Sequence, residues 1–102
     1  MVDRGQIKGC IADGPLALDV AVDKESCEIK GLNSPVGGDA DCLLFPNIES
    51  ANVFYKTNSK LAANVKQAGM MVGAKVPCVL SSRADSIDTK LNSIAIAAMS
   101  AK

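Results

Sequence analysis

Ser81, Ser82 and Arg83 stand in a row between two apolar stretches of different period. Val76 to Leu80 is a short run opened by Pro77, as in a buried strand, and Ile87, Leu91, Ile94, Ala95, Ala98 and Met99 then recur at helical spacing. Ser86 or Asp85 is placed to cap that helix and to leave its first amide N–H groups facing the loop. Two hydroxyls, a guanidinium fork and a helix N-terminus together suit a phosphate or a developing oxyanion. The same residues also read as an ordinary cap beside a solvated arginine, and spacing alone favours that plainer reading.

The elements that must position this loop follow from the rest of the chain. Gln6 to Ala12 reads as a strand, Asp13-Gly14-Pro15 as the turn out of it, and Leu16 to Lys30 as a helix closed by Gly31. Leu32 to Asp41, rich in Gly, Pro, Asn and Asp, is a loop leading to a short strand, Cys42 to Phe45, stopped by Pro46. Asn47 is a plausible N-cap for a helix over Ile48 to Ala63, with Glu49 in the first turn where its charge suits the dipole. Lys66 to Val72 and Val76 to Ser81, joined by Gly73-Ala74-Lys75, predict an antiparallel hairpin. Strands alternating with helices predict an α/β fold with a mostly parallel, helix-covered sheet, which binds ligands at the carboxyl ends of its strands.

The totals restrict the function. A chain of 102 residues suffices for one small domain, and at 48% hydrophobic but 3% aromatic its core would be built from Ala, Val, Ile, Leu and Met. Eleven basic and eleven acidic residues cancel and are scattered, which gives no footprint for nucleic acid or an anionic membrane surface. No run approaches a membrane span and the opening MVDRGQ lacks a signal-peptide core, so a cytoplasmic location is expected. With no His and four unpaired-looking cysteines, neither a Cys/His zinc site nor a Cys-His nucleophile pair is available, and no metal is expected. Cys10, Cys42 and Cys78 lie in strand-like runs and are expected to be buried free thiols. Neither GxGxxG nor GxxxxGK[ST] occurs.

Several short motifs in fixed order carry a more specific signal. Asp13-Gly14-Pro15-Leu16, Asp19, Ser34-Pro35-Val36, Gly38-Asp39-Ala40-Asp41, Phe45-Pro46-Asn47-Ile48-Glu49, Asn52, Tyr55-Lys56, Gly73-Ala74-Lys75-Val76-Pro77 and Ser82-Arg83-Ala84-Asp85-Ser86 fall as they do in one family. Across nearly its whole length the chain resembles the carboxyl-terminal third of the phosphate acetyltransferase and phosphate butyryltransferase family. That resemblance implies a three-layer α/β fold like that of the isocitrate and isopropylmalate dehydrogenases, of which this chain would be the carboxyl-terminal portion. It also implies a reaction, acyl-CoA plus phosphate giving acyl phosphate plus CoA, with CoA a substrate and no permanently bound cofactor. The expected partners are acyl-CoA and phosphate, with neither nucleic acid nor membrane, and a homo-oligomeric assembly. Met1 matches a methionine that is often internal in the family, as expected of a fragment or a truncated reading frame.

On the same resemblance Ser82 and Arg83 would be catalytic, lining the cleft where CoA and phosphate meet. Asn47, Glu49, Asn52, Tyr55 and Lys56 would shape the neighbouring wall, with Ser81 and Ser86 also in the binding set, although Asn47 reads equally well as a plain helix cap. Acetyl-type members have an aspartate six residues after the arginine, proposed as the base for the CoA thiol, where this chain has Thr89. Asp88 is adjacent but about 100° away around the helix. Together with the SRADS form of the loop, the substitution favours the butyryl branch. Ala51 replaces a usual glycine, and the arginines contributed by the family's amino-terminal domain have no counterpart here. An alternative is a non-catalytic CoA- or phosphate-binding or assembly subdomain; a dehydrogenase relative would need a carboxylate cluster and nicotinamide motifs that the sequence lacks.

Overall fold

The computed structural model describes residues 1–101, which divide after Leu44 into two units. In the first, the residues expected to form one helix form two: α1, Leu18–Val22, and α2, Lys24–Ile29. Asp23 makes the break. It adopts an extended conformation, and its side chain accepts a 2.9 Å hydrogen bond from the Ser26 N–H, so it starts a new helix instead of continuing the old one. Gly31, at φ 62°, ends α2 as the sequence predicts. Its N–H donates to the Glu28 carbonyl at 3.0 Å and that of Leu32 to the Cys27 carbonyl at 3.2 Å, the paired closure that a left-handed residue permits.

The loop after α2 folds back along the two helices. The Gly38 N–H donates to the Val20 carbonyl at 2.8 Å and the Ala40 N–H to the Ala21 carbonyl at 3.1 Å. A Cβ on Gly38 would lie 2.5 Å from the Lys24 Cα, so only glycine allows this approach. Val20, Ala21 and Cys27 are the buried residues of this unit, and a 2.6 Å ion pair between Lys30 and Asp19 ties the end of α2 to the start of α1.

The second unit contains α3, Ile48–Leu61, and α4, Ile87–Ser100. Asn47 caps α3 by accepting from the Ser50 N–H at 2.9 Å, and Phe45 packs on Phe54 with ring centroids 5.1 Å apart. α3 stops at Leu61, two residues earlier than expected, and Asn64 takes a left-handed conformation that asparagine tolerates. The chain then returns to α4, where the Gly69 N–H donates to Ser93 Oγ at 2.9 Å. Ser93, 2% exposed, in turn donates to the Thr89 carbonyl at 2.7 Å, so this buried hydroxyl has two partners.

Three expectations are corrected here. The stretches 6–12, 42–45, 66–72 and 76–81 are not strands; among the described residues the only β pairing is the antiparallel bridge of Met71 with Cys78, the remnant of the expected hairpin. A strand is stabilised by a neighbouring edge and by cover for its faces, and here Ile11, Leu44, Val72 and Leu80 are each at least 70% exposed. In α4 the apolar positions Ile87, Leu91, Ile94 and Met99 face outward, while Ser93 and Ala97 are buried. Cys10 and Cys42 are exposed and Cys78 half-buried, because the strands that were to bury them do not form; the buried thiol is Cys27.

Three carboxyls of the first unit sit below their ordinary range: Asp13 through hydrogen bonds with Ser34 and Gly14, Asp19 chiefly through Lys30, and Asp23 through Ser26. A depressed folded-state pKa adds stability above the ordinary carboxylate value, about 4, that is lost as pH falls through the folded value. Amide exchange protection in α1 and α2 is therefore expected to be greater at neutral pH and to weaken modestly in acid below about pH 4, since the three carboxyls are exposed and their contacts screened by water. Lys30→Ala is expected to move the Asp19 titration, followed by carboxyl NMR shifts, up toward the ordinary value.

Candidate functional site

The Ser82–Asp85 segment is a closed turn immediately before α4. The Asp85 N–H donates to the Ser82 carbonyl at 3.1 Å, and the Ser82 N–H donates to Asp85 Oδ2 at 2.8 Å, so the two residues bind each other in both directions. The Ser82 hydroxyl also accepts weakly from the Ala84 N–H, at 3.4 Å. Ser86 is the N-cap of α4, its Oγ accepting from the Thr89 N–H at 3.1 Å and lying 3.0 Å from Thr89 Oγ1. Of the two cap candidates, Ser86 takes the role and Asp85 is left to act on the loop.

The carboxyl-terminal half of α3 lies against this turn. Lys56 Nζ is 3.9 Å from Asp85 Oδ1, and Lys60 Nζ donates to the Ala84 carbonyl at 3.4 Å. Lys56 also sits 5.3 Å from the centre of the Tyr55 ring. Burial pushes the Tyr55 phenol above its ordinary pKa, and the charge of Asp85 and a hydrogen bond with it raise it further. The Asp85 side chain is only 8% exposed, against 40% for Lys56. A carboxylate this covered requires partners, and the turn and α3 supply them.

Arg83 is exposed, and no hydrogen bond or ion pair to it is found among the described residues. The turn thus holds its own carboxylate inward and presents its guanidinium outward, where a fork of N–H groups can take an anion in bidentate fashion. Ser82 is half-buried beside it, and Ser81 is exposed.

The expected site residues fall into two groups. Tyr55 and Lys56 adjoin the Ser82–Asp85 turn; Asn47 and Glu49 are at the other end of α3, with about 13 Å of helix between Asn47 and Lys56. Those two instead border an open depression with Phe45, Val53, Phe54 and Thr57. Glu49, Asn52 and Lys56 share one side of α3 through their spacing, so one helix face runs from that depression to the turn. The Asn47 side chain and the Ser86 hydroxyl are both engaged as caps. Thr89 is likewise engaged with Ser86, in the first turn of α4. Sequence reasoning missed Asp85 as a structural centre of the site; the available signal was the pair Lys56 and Lys60, one turn apart on α3 and in need of an acceptor.

Comparison with known proteins agrees with these motifs. The family described as "Phosphate acetyl/butaryl transferase" matches residues 1–98. The chain is 54% identical over 99 residues to the phosphate butyryltransferase of Clostridium acetobutylicum, covering 97% of this chain and 33% of that protein. The phosphate acetyltransferase of Thermotoga maritima matches at the same 54% over 99 residues, with the same 97% and 33% coverage. A crystal structure of a branched-chain phosphotransacylase from Enterococcus faecalis V583 superimposes with a TM-score of 0.74 at 41% identity, over 83% of this chain and 32% of that one. The chain belongs to the phosphate acetyl/butyryl transferase family. It spans about a third of the length of the curated relatives it matches.

The raised phenol can be read directly, since Tyr55 is the single tyrosine and there is no tryptophan. Its phenolate absorbance is expected to rise with a midpoint above the ordinary value of about 10. Folding favours the protonated phenol, so its contribution to stability is present below that ordinary value and lost as pH rises through the folded one. Asp85→Asn is expected to bring the midpoint part of the way down, leaving the share due to burial; an unchanged midpoint would separate Tyr55 from Asp85.

Proposed function

We propose that these 102 residues are the carboxyl-terminal part of a phosphate acyltransferase of the butyryl type. The reaction is acyl-CoA plus phosphate giving acyl phosphate plus CoA, and its reverse. The observation that carries the proposal is the turn before α4, in which the family's serine and arginine, Ser82 and Arg83, stand beside a helix N-terminus with the guanidinium exposed. The finer choice of butyryl over acetyl rests on the SRADS loop and on Thr89, since relatives of both kinds match at 54% identity. The proposed whole is a three-layer α/β protein with a mostly parallel sheet, like the isocitrate and isopropylmalate dehydrogenases, cytoplasmic and homo-oligomeric. The exposed apolar side chains of the strand-like stretches support such a sheet once neighbouring strands are present.

In the acyl phosphate to acyl-CoA direction, the CoA thiolate attacks the acyl carbon. A tetrahedral intermediate forms, and its collapse breaks the bond to the phosphate oxygen, which leaves with the electron pair. Arg83 neutralises the phosphoryl group or the carbonyl oxygen as charge develops, and Ser82 donates a hydrogen bond to the same place. A thiol with pKa about 8.5 is a few per cent ionised at neutral pH, and the charge of Arg83 raises that fraction locally. Tyr55 and Lys56 hold the adjoining wall, with Asn52, Glu49 and Asn47 continuing it along α3 and Ser81 and Ser86 at the loop's ends.

The second reading is a CoA- or phosphate-binding or assembly subdomain without turnover. A cleft needs both walls to position its reactants and exclude water, so the 102-residue chain by itself is expected to release no CoA from butyryl-CoA and phosphate. A chimera that carries these residues in place of the matching third of the Clostridium acetobutylicum enzyme is expected to turn over; a folded but inactive chimera would favour the second reading. In the active chimera Arg83→Ala is expected to lower kcat by about a hundredfold with a smaller change in KM, as for loss of one oxyanion-stabilising donor. Arg83→Lys is expected not to restore it, because an ammonium lacks the bidentate plane.

A further inference from the structure

We propose that Asp85 is the positioning residue of the anion-receptive turn: it locks the turn through Ser82, engages Lys56, and so leaves Arg83 unpaired for phosphate. This rests on the reading of Ser82 and Arg83 as an anion site given above. The geometry weighs against two other uses of a carboxylate at this position. Asp85 is not the helix cap, because the Ser86 hydroxyl accepts from the Thr89 N–H. It is poorly suited to be the proton acceptor for a thiol, because it is 8% exposed, one oxygen accepts from the Ser82 N–H at 2.8 Å and the other faces Lys56 at 3.9 Å.

The charge arrangement makes the role specific. Asp85 is two residues from Arg83, and a carboxylate so near is the natural competitor of phosphate for the guanidinium. Its inward orientation removes that competition. Lys56 compensates the inward charge from α3, while Lys60 holds the Ala84 carbonyl and fixes the same turn from a second point. The phenol of Tyr55, raised by burial and by Asp85, stays protonated beside the carboxylate and adds no competing negative charge.

The test turns on a sign. Removing a negative charge beside an anion site should tighten phosphate binding by Coulomb's law alone, whereas losing a positioning residue should weaken it. Inorganic phosphate is titrated into the chimera that carries these 102 residues, and its Kd is measured by calorimetry. Saturable binding is expected in the chimera with the native residues, with Kd raised about tenfold or more in Asp85→Ala, the scale of one lost hydrogen bond to a charged group. Asp85→Asn keeps an acceptor for the Ser82 N–H but offers no charge to Lys56, and its Kd is expected between the two. Asp88→Asn, the same charge change on an exposed residue of α4, is expected to leave binding unchanged or slightly tighter. Binding by Asp85→Ala as tight as native would overturn the proposal while leaving the anion site standing; phosphate binding by an Arg83→Ala chimera as tight as native would overturn both. Should Asp85→Ala lose its helical circular dichroism, Asp85→Asn decides, since binding equal to or tighter than native overturns the positioning role and weaker binding supports it.

Discussion

A carboxylate almost removed from water must find donors within reach, and around Asp85 that requirement arranges the second unit. One of its oxygens takes the Ser82 N–H, which closes the turn; the other faces Lys56, which draws the end of α3 toward that turn. The cost of burying a charge is offset only when such partners are in place, so turn and helix are specified together. Ser86 can then cap α4 without sharing its hydroxyl with Asp85 or Arg83. The outward arginine follows from the inward aspartate.

Elsewhere the chain is held by short-range devices and a small core. Caps at Asp23, Asn47 and Ser86 start three helices, and the left-handed Gly31 ends one. Each is worth on the order of 1 kcal/mol, and together they matter in a chain with few buried apolar side chains. Among the described residues Val20 is the large side chain fully withdrawn from solvent. Ser93 joins the returning chain to α4 by a buried hydrogen-bond pair where an apolar contact would be usual. Polar anchoring of this kind fixes register well but contributes less than apolar burial.

The outward apolar face of α4 and the unpaired strand-like stretches have a common physical origin. Helices form from bonds within their own segment, but strands and apolar faces are completed by something else. The matched relatives are about three times as long as the span they share with this chain, and a fold of layered sheet and helices places most of its burial between segments far apart in sequence. Segments with that patterning are exposed here, Leu44 at 96% and Met99 at 85%.

What the sequence determined by itself was therefore local or motif-based. Helices beginning after Asn47 and Ser86, the stop at Gly31, the turn around Gly73 and membership of the family were legible, because caps, glycine turns and ordered motifs act over a few residues. The break at Asp23 was readable in principle from Asp23 and Ser26, but the apolar period of Leu16, Val20 and Cys27 outweighed it. The tertiary structure alone decided which face of α4 is buried, that the four strand-like stretches stay unpaired apart from one bridge, and that Asp85 turns inward to Ser82 and Lys56. Those outcomes depend on partners distant in the chain: Lys56 and Asp85 are far apart in sequence, and whether they meet is set by the path of the intervening chain, not by the pattern around either residue.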